Sequence, residues 1–291
     1  MPVPAVVILA NPFAGRGVTA DALGPVRRRL LDAGHRVRAV VNDDAALALQ
    51  EVRTAVNLGA TAVIAVGGDG TVHLALQAVA GTGVPLGIVA TGHGNDTARA
   101  LDLPLHDVEA AMDVILSGRV THLDAGRADD RWFLTVLAAG FDAVVNERAN
   151  RMRWPRGPWR YNLATLIEAS SFRPLRYSLE LDGVRSEHEG MLVAIANCPT
   201  FGGGLRIADG ALTDDGFLDV VTVGQLNKLE LARTYPRLFT GSLTSHPQYQ
   251  VHRARRVTVH APDVVAYADG ERIGPLPLTV ECIPSAVKVF A

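Results

Sequence analysis

The chain has 291 residues, of which 48% are hydrophobic, and a formal net charge of −2. This length is enough for two domains with their own cores, and the near balance of charge argues against nucleic-acid binding through bulk electrostatics. No apolar run approaches the roughly 20 residues that span a bilayer, so we expect any membrane contact at the membrane surface. The cysteines, Cys198 and Cys282, lie in apolar runs and suggest a reducing cytosol rather than a disulfide framework.

From the N-terminus to Leu116, strand patterns alternate with helical ones. Short apolar runs bounded by glycine, with helices between them, indicate a parallel sheet covered on both faces. Ligands bind such sheets at the carboxyl ends of the strands, so we expect Asn11-Pro12, Gly67–Thr71 and Thr91–Asp96 to line one crevice. The predicted strands are Val6–Ala10, Arg36–Val41, Ala62–Val66 and Leu86–Ala90, and the predicted helices are Ala20–Ala33, Ala45–Leu58, Thr71–Ala80, Asn95–Leu101 and Val108–Leu116.

Near Asp124 the pattern changes and becomes rich in strands. The dipeptides Asp182-Gly183, Asp215-Gly216 and Asp269-Gly270 are typical of turns between antiparallel strands. Helices are predicted near 141–153, 161–171 and 228–238. The predicted strands are Trp132–Ala139, Arg176–Leu181, Met191–Asn197, Phe217–Val223, Arg256–Ala261, Val264–Ala268 and Leu278–Ile283.

The most informative local feature is the glycine-rich turn Gly67-Gly68-Asp69-Gly70-Thr71, which follows an apolar strand and precedes a helical pattern. Such a turn presents backbone N–H groups to an anion, although a plain structural turn is the alternative. A carboxylate repels phosphate unless a cation lies between them, so Asp69 favours metal–nucleotide chemistry of the kinase kind. Neither the Walker A motif nor the dinucleotide fingerprint is formed: the only lysines are Lys228 and Lys288, and Thr97 replaces the third glycine after Gly92-His93-Gly94.

Seven motifs in order make the chain resemble the diacylglycerol kinase catalytic-domain family, which shares its architecture with NAD kinases. The likeness extends over nearly the whole chain. Its motifs are Asn11-Pro12-Phe13-Ala14-Gly15, Gly67–Thr71, Pro85-Leu86-Gly87-Ile88 through Gly94-Asn95-Asp96, Leu123-Asp124-Ala125-Gly126, Phe201-Gly202-Gly203-Gly204, Asp214–Val220 and Asp269-Gly270-Glu271.

The resemblance implies a two-domain fold, α/β plus β, of the NAD kinase/diacylglycerol kinase type. A parallel-sheet α/β domain over 1–125, to which 284–291 returns, precedes an antiparallel β-sandwich domain over 126–283, with the active site in the cleft between them. The implied function is an ATP-dependent lipid kinase that phosphorylates a lipid hydroxyl, most directly that of diacylglycerol, with ATP and Mg²⁺. It implies a cytoplasmic enzyme at the inner face of the membrane, and a homodimer is a further expectation.

Site residues follow from the resemblance, position by position. Glu271 corresponds to the general base, and Asp69, with Asp96 and Asp124, belongs to the network around the magnesium that accompanies ATP. Asp215 and the main-chain carbonyls of Leu212 and Phe217 correspond to a structural metal site. The residues expected to hold ATP are Asn11, Pro12, Phe13, Ala14, Gly15, Gly67, Gly68, Asp69, Gly70, Thr71, Val72, His73, His93, Asn95 and Asp96.

Each of these positions also has a simpler interpretation. Asp215-Gly216 and Asp269-Gly270 are ordinary turn dipeptides, and Asn95-Asp96 is suited to capping a helix. The chain also departs from the family pattern: His93 replaces a threonine, Thr97 replaces a phenylalanine, and Leu74 replaces a glutamate. Glu271, which corresponds to the family's general base, and Asp69 are both retained, so we expect an active enzyme.

Alternative functions stay open at this point. The acceptor could be a sphingoid base, ceramide or phosphatidylglycerol instead of diacylglycerol. An NAD kinase shares the Gly67–Thr71 turn, but Gly202–Gly204 and Asp269-Gly270-Glu271 fit a lipid kinase better. A non-catalytic lipid- or nucleotide-binding regulator is supported only by the substitutions at His93, Leu74 and Thr97.

A basic and aromatic segment predicts where the protein meets a membrane. Arginine beside tryptophan suits the headgroup level of an anionic bilayer, whereas solvated arginines beside a packed tryptophan are the simpler interpretation. The residues concerned are Arg151, Arg153, Trp154, Arg156, Trp159 and Arg160.

Overall fold

A computed structural model describes residues 5–11, 18–152, 163–164, 167–168, 174–227, 230, 233–234, 237 and 240–291. The chain divides into two compact units. Residues 1–125 and 284–291 form the first unit, and residues 126–283 form the second. No helix in the described ranges is both long and apolar enough to cross a membrane.

The first unit is built on a parallel sheet. β1 pairs in parallel with β2 and β3, β3 pairs with β4, and the C-terminal end of β17 joins β4 through Val289 and Leu86. The strands are β1 (Val6–Ala10), β2 (Val37–Val41), β3 (Ala62–Gly67), β4 (Leu86–Ala90) and β17 (Leu278–Phe290), and the helices are α1 (Val18–Asp32), α2 (Ala45–Asn57), α3 (Asp69–Val79), α4 (Asp96–Ala100) and α5 (Val108–Leu116).

Burial explains the parallel arrangement. Every residue of β1, β3 and β4 is buried, as expected of strands covered by helices on both faces. Two helices begin at an aspartate that accepts backbone N–H groups of the first turn: Asp44 for α2 and Asp107 for α5. The predicted parallel sheet is therefore confirmed.

The second unit is an antiparallel assembly around a continuous apolar core that includes Phe133, Tyr177 and Ile195. β9 is its central strand and pairs with β7, β8 and β12. Its elements are β5 (Val120–Ala128), which begins in the first unit, β6 (Arg131–Phe133), β7 (Val136–Gly140), α6 (Phe141–Arg151), β8 (Leu175–Leu181), β9 (Val184–Ala196), β10 (Thr200–Phe201), β11 (Leu205–Arg206), β12 (Leu218–Gly224), β13 (Tyr249–Ala254), β14 (Arg256–His260), β15 (Val265–Ala268) and β16 (Glu271–Pro275).

Several details differ from the sequence prediction. The predicted strand Trp132–Ala139 is two strands, β6 and β7, because the N–H groups of Leu134 and Thr135 bond to the side chain of Asp269. The strands β5, β10, β11, β13 and β16 have no counterpart among the predicted strands; β13 is largely polar and forms by pairing with β12. The helices expected near 161–171 and 228–238 lie mostly outside the described residues.

Candidate active site

Three loops of the first unit meet at the carboxyl edge of its parallel sheet. Ala10 at the end of β1 is paired with Val66, and Gly67 at the end of β3 is paired with Ala90 at the end of β4. The segments that follow these strands therefore start at neighbouring positions. They are the loops that begin at Asn11, Gly68 and Thr91. Of the first of them, Pro12, Phe13, Ala14 and Gly15 lie outside the described residues.

The middle loop turns sharply from β3 into α3. Gly67 is buried, and a Cβ atom there would lie 2.3 Å from the Thr71 hydroxyl oxygen. Gly68 stands at the N-cap of α3 without a side-chain cap. A helix N-terminus carries partial positive charge and directs backbone N–H groups outward. Gly70 is exposed while Thr71 and Val72 are buried, so this turn offers backbone donors rather than side chains to an anion.

Asp69, the first residue of α3, connects the middle loop to the third. Its Oδ2 oxygen accepts a hydrogen bond from Asn95 N at 2.8 Å, and its Oδ1 oxygen accepts one from Asp96 N at 2.6 Å. These N–H groups lie at the start of α4, so the carboxylate also offsets the positive end of that helix. The Asp69 side chain therefore has a defined position before any ligand binds.

Asn95 is the buried member of the third loop. It is 3% exposed and adopts a left-handed backbone with φ of 52°, a conformation that asparagine tolerates better than most residues. Its Nδ2 group donates to Gly92 O at 2.9 Å. Its Oδ1 atom is buried without a hydrogen-bond partner among the described residues. A buried acceptor of this kind is suited to a donor on a ligand, which fits the expected nucleotide contact.

The other predicted residues of the first unit occupy different environments. His73 is 6% exposed, and its Nε2 lies 3.3 Å from Gln77 Nε2 on the same helix. His93 is exposed. Asp124 on β5 is 2% exposed and accepts a hydrogen bond from Ser285 N at 2.8 Å. Thus Asp69, Asn95 and Asp96 are directly joined, whereas His73 faces a helix neighbour.

A contact between two threonines near these loops was not predicted from the sequence. The hydroxyl oxygens of Thr19 and Thr91 lie 3.0 Å apart, and both side chains are buried. Thr19 lies in the first turn of α1 and Thr91 directly follows β4. Their bond joins α1 to the third loop across 72 residues of sequence, a separation that no local pattern reveals.

The acidic groups of the first unit fit a magnesium ion that is held partly by other ligands. Carboxylate oxygens are ligands that Mg²⁺ prefers, and the backbone N–H groups of Asn95 and Asp96 hold the Asp69 carboxylate in place. No group of three or more His, Cys, Asp or Glu side chains in the described ranges is arranged to hold a metal. Mg²⁺ commonly keeps waters and binds through one or two carboxylates plus substrate phosphates, so this donor set suits a nucleotide-borne ion.

In the second unit, the hairpin between β15 and β16 presents Glu271. Asp269 and Gly270 have φ of 51° and 82°, the signature of a two-residue type I′ turn. Glu271 pairs with Ala268 immediately across this turn and is exposed. An exposed carboxylate at the first residue of a strand is accessible to a substrate hydroxyl.

At the expected structural metal site, an arginine side chain already neutralises the carboxylate that should bind the metal. Asp215 Oδ1 accepts a hydrogen bond from Phe217 N at 3.0 Å, and its Oδ2 is paired with the guanidinium of Arg253. Burial raises the pKa of the nearby Asp219 carboxyl, and Arg253 acts in the opposite direction. Leu212 is exposed. A metal ion bound to Asp215 would have to displace Arg253, so these residues in their present arrangement do not fit a metal ion. The structural metal site therefore stays a prediction.

Of the predicted membrane-contact residues, Arg151 is the one that lies within the described ranges. Arg151, at the end of α6, is exposed and lies 3.5 Å from Glu147. The other members, Arg153, Trp154, Arg156, Trp159 and Arg160, lie outside the described residues.

Comparison with family models assigns both parts of the chain. Residues 5–128 match the diacylglycerol kinase catalytic domain. Residues 135–291 match the YegS C-terminal NAD kinase beta sandwich-like domain.

Curated relatives are similar over almost their whole length. A diacylglycerol kinase from Mycobacterium tuberculosis is 40% identical over 291 residues, which cover 98% of this chain and 94% of the relative. A diacylglycerol kinase from Staphylococcus saprophyticus is 27% identical, covering 97% of this chain and 94% of the relative.

Solved structures share the fold at low sequence identity. A structure of a diacylglycerol kinase from Bacillus anthracis str. Sterne superposes with a TM-score of 0.76 at 18% identity, covering 100% of this chain and 97% of that chain. Another chain from the same organism superposes with a TM-score of 0.81 at 20% identity, covering 100% and 98%. At these identities the likeness concerns the fold alone.

Proposed function

Since this chain belongs to the diacylglycerol kinase catalytic-domain family, we propose that it transfers the γ-phosphate of Mg-ATP to the free hydroxyl of diacylglycerol, giving phosphatidic acid. The lipid-kinase class follows from the family, and diacylglycerol is the substrate named for its relatives from M. tuberculosis and S. saprophyticus. The arrangement of Asp69 against Asn95 and Asp96 is the observation that carries the nucleotide part of the proposal.

The first unit is suited to binding a nucleotide phosphate chain. Phosphoryl transfer requires mainly that the protein position its reactants and neutralise charge. The turn at Gly68–Gly70 presents backbone N–H groups at the start of α3, where negative charge is stabilised. A magnesium ion bound with ATP would supply charge neutralisation at the phosphates. Asp69 would be a residue that holds this ion, since two backbone N–H groups fix the orientation of its carboxylate.

Glu271 is the proposed general base. The acceptor hydroxyl must lose a proton as its oxygen attacks phosphorus, and a positioned carboxylate can take it. Glu271 is exposed at the start of β16, directly after a tight turn. Its carboxylate is thus on a strand terminus rather than on a long loop, which favours a fixed position.

The decisive experiment measures transfer of labelled phosphate from Mg-ATP to diacylglycerol in mixed micelles. The wild type should produce labelled phosphatidic acid, and Glu271→Gln should lower kcat by about a hundredfold or more, since general acid–base catalysis contributes 10²–10⁴-fold. Glu187→Gln alters an exposed glutamate on β9 and serves as the matched control. Equal rates in the wild type and Glu271→Gln would reject Glu271 as the base.

The same assay separates the alternative substrates. Sphingosine, ceramide, phosphatidylglycerol and NAD are offered in parallel with diacylglycerol. Preferential labelling of another lipid would change the acceptor but retain the kinase class. Labelling of NAD that is indifferent to detergent would favour an NAD kinase. Binding of ATP without transfer to any acceptor would favour a non-catalytic protein, and restoring threonine at His93 would then be the first variant to test.

A membrane surface is the proposed partner, because the acceptor resides in a bilayer. The basic segment that includes Arg151 is the proposed contact. Replacing Arg151, Arg153, Arg156 and Arg160 with serine should weaken binding to phosphatidylglycerol vesicles, since each basic residue contributes about 1 kcal/mol near an anionic surface. Unchanged vesicle binding at low salt would reject this segment as the contact.

A further inference from the structure

One carboxylate joins the hairpin that carries Glu271 to the junction between β6 and β7. Asp269 Oδ1 accepts hydrogen bonds from Thr135 N at 2.8 Å and from Thr135 Oγ1 at 2.6 Å. Asp269 Oδ2 accepts one from Leu134 N at 3.1 Å. Hydrogen bonds to an ionised acceptor are roughly twice as strong as neutral ones. Three such bonds therefore hold the turn more firmly than strand pairing alone.

The β6–β7 junction, Leu134 and Thr135, is also held by the residues that follow β9. The Thr135 carbonyl accepts hydrogen bonds from Asn197 N at 2.8 Å and from Cys198 N at 3.2 Å. The Leu134 carbonyl accepts one from Asn197 Nδ2 at 3.0 Å and one from Cys198 Sγ at 3.0 Å. Thr135 is 1% exposed. The donors of the junction thus bind Asp269 while its acceptors bind the end of β9, so the junction is a rigid support.

The hairpin depends on this support because of its place in the sheet. In the described part of the chain, β16 pairs with β15 alone, so it is an edge strand. Only Gly270 separates Asp269 from Glu271. A shift of the Asp269 side chain is therefore passed directly to the backbone of Glu271.

We propose that Thr135 is a positioning residue for phosphoryl transfer: through Asp269 it holds the β15–β16 turn so that Glu271 meets the acceptor hydroxyl. This inference rests on the proposed role of Glu271 as the base. Misplacement of a reacting group by 1 Å can lower a rate about a hundredfold. The hydroxyl of Thr135 thus acts on the reaction without touching substrate.

The test compares Thr135→Val, which removes the hydroxyl donor, with Thr135→Ser, which keeps it. In the micelle assay with diacylglycerol, Thr135→Val should lower kcat by about tenfold to a hundredfold while leaving the KM for ATP within twofold. Thr135→Ser should keep most of the wild-type kcat. Rescue by serine together with an unchanged KM distinguishes positioning from a general loss of structure.

A matched control uses Thr258→Val. The hydroxyl oxygens of Thr258 and Thr279 lie 3.0 Å apart between β14 and β17, so this variant loses a threonine hydrogen bond elsewhere in the same unit. Its kcat should equal that of the wild type. An equal fall in kcat for Thr258→Val and Thr135→Val would overturn the proposal. Should Thr135→Val fail to fold, Thr135→Cys takes its place, with a weaker donor and the same expected loss.

Glu271→Gln in the same assay tests the role of Glu271 as the base separately from the positioning role of Thr135. If Glu271→Gln is inactive but Thr135→Val and Thr135→Cys keep the wild-type kcat, the base stands and the positioning role is rejected. If Glu271→Gln itself is fully active, the proposed base fails, and with it the reason for positioning the hairpin.

Discussion

Asp69 and Gly94 are so close that a Cβ atom at position 94 would lie 2.5 Å from the Asp69 Oδ2 oxygen. The third loop reaches the carboxylate only because residue 94 has no side chain. This approach brings Asn95 N to 2.8 Å and Asp96 N to 2.6 Å from the two carboxylate oxygens. The glycine therefore determines the geometry of the proposed nucleotide site.

Replacing Gly94 with alanine should separate these loops. We expect the free energy of unfolding to fall by about 1–3 kcal/mol, because hydrogen bonds to a charged group are lost, and the Kd for Mg-ATP to rise at least about tenfold, a change of 1.4 kcal/mol. Urea unfolding and isothermal titration calorimetry measure the two effects. Gly24→Ala in α1 is the control, since a Cβ atom there has nothing within 4 Å. Unchanged ATP affinity in Gly94→Ala would contradict the assignment of this loop.

Arg253 is expected to make the loop at Asp215 independent of divalent metal. Its guanidinium pairs with Asp215 and lies 4.7 Å from the ring centroid of Phe217. Arg253→Gln should lower the free energy of unfolding by about 1 kcal/mol in EDTA, and millimolar Mg²⁺ or Ca²⁺ should restore part of it. The wild type should show no such dependence.

Arg255→Gln is the matched control for that experiment. Arg255 lies 4.8 Å from the same Phe217 ring, but its guanidinium has no carboxylate partner among the described residues. The control should lose stacking without gaining a metal response. Strong stabilisation of the wild type by either metal would show that the ion displaces Arg253.

His188 on β9 should make stability depend on pH. Burial lowers the pKa of its imidazole below the ordinary value of 6.5, and the nearby His252 acts in the same direction. The His188 imidazole therefore binds a proton more readily in the unfolded chain than in the folded protein. Its contribution to stability is fully present above the unfolded pKa of about 6.5 and is lost as the pH falls through the lower pKa of the folded state.

The measurement is urea unfolding of the wild type and His188→Gln at pH 7.5 and 5.0. The fall in the free energy of unfolding between these values should be smaller in the variant. His260→Gln removes an exposed histidine and should retain the full pH dependence. A wild-type pH response in His188→Gln would exclude this histidine as its source.

Cys198 should resist alkylation in the folded protein. It is 2% exposed, and burial raises the pKa of its thiol well above the usual range, with the charge of Asp269 acting in the same direction. Because the thiolate is the reactive form, iodoacetamide at pH 8 should leave Cys198 unmodified until urea is added. Mass spectrometry measures the modification, and Ser186→Cys at an exposed position of β9 provides a reactive control. Rapid modification of Cys198 in the folded protein would contradict its burial against the Leu134 carbonyl.

Sequence patterns predicted the parts of the fold that depend on local periodicity. Apolar runs such as Ala62–Val66 indicated buried parallel strands, and Asp269-Gly270 indicated a tight hairpin turn. The motif at Gly67–Thr71 indicated the type of chemistry. These features are readable because an apolar period or a turn residue acts through its immediate neighbours in the chain.

Only the tertiary structure decided which distant groups meet. It broke the predicted strand at Leu134 and Thr135, since their N–H groups bond to Asp269 more than 130 residues later. It also paired Asp215 with Arg253 at the position where the family resemblance implied a metal. Such contacts join segments far apart in sequence, and no local pattern encodes their partners. The residue types thus determined what chemistry is available, and the fold determined which partners each carboxylate meets.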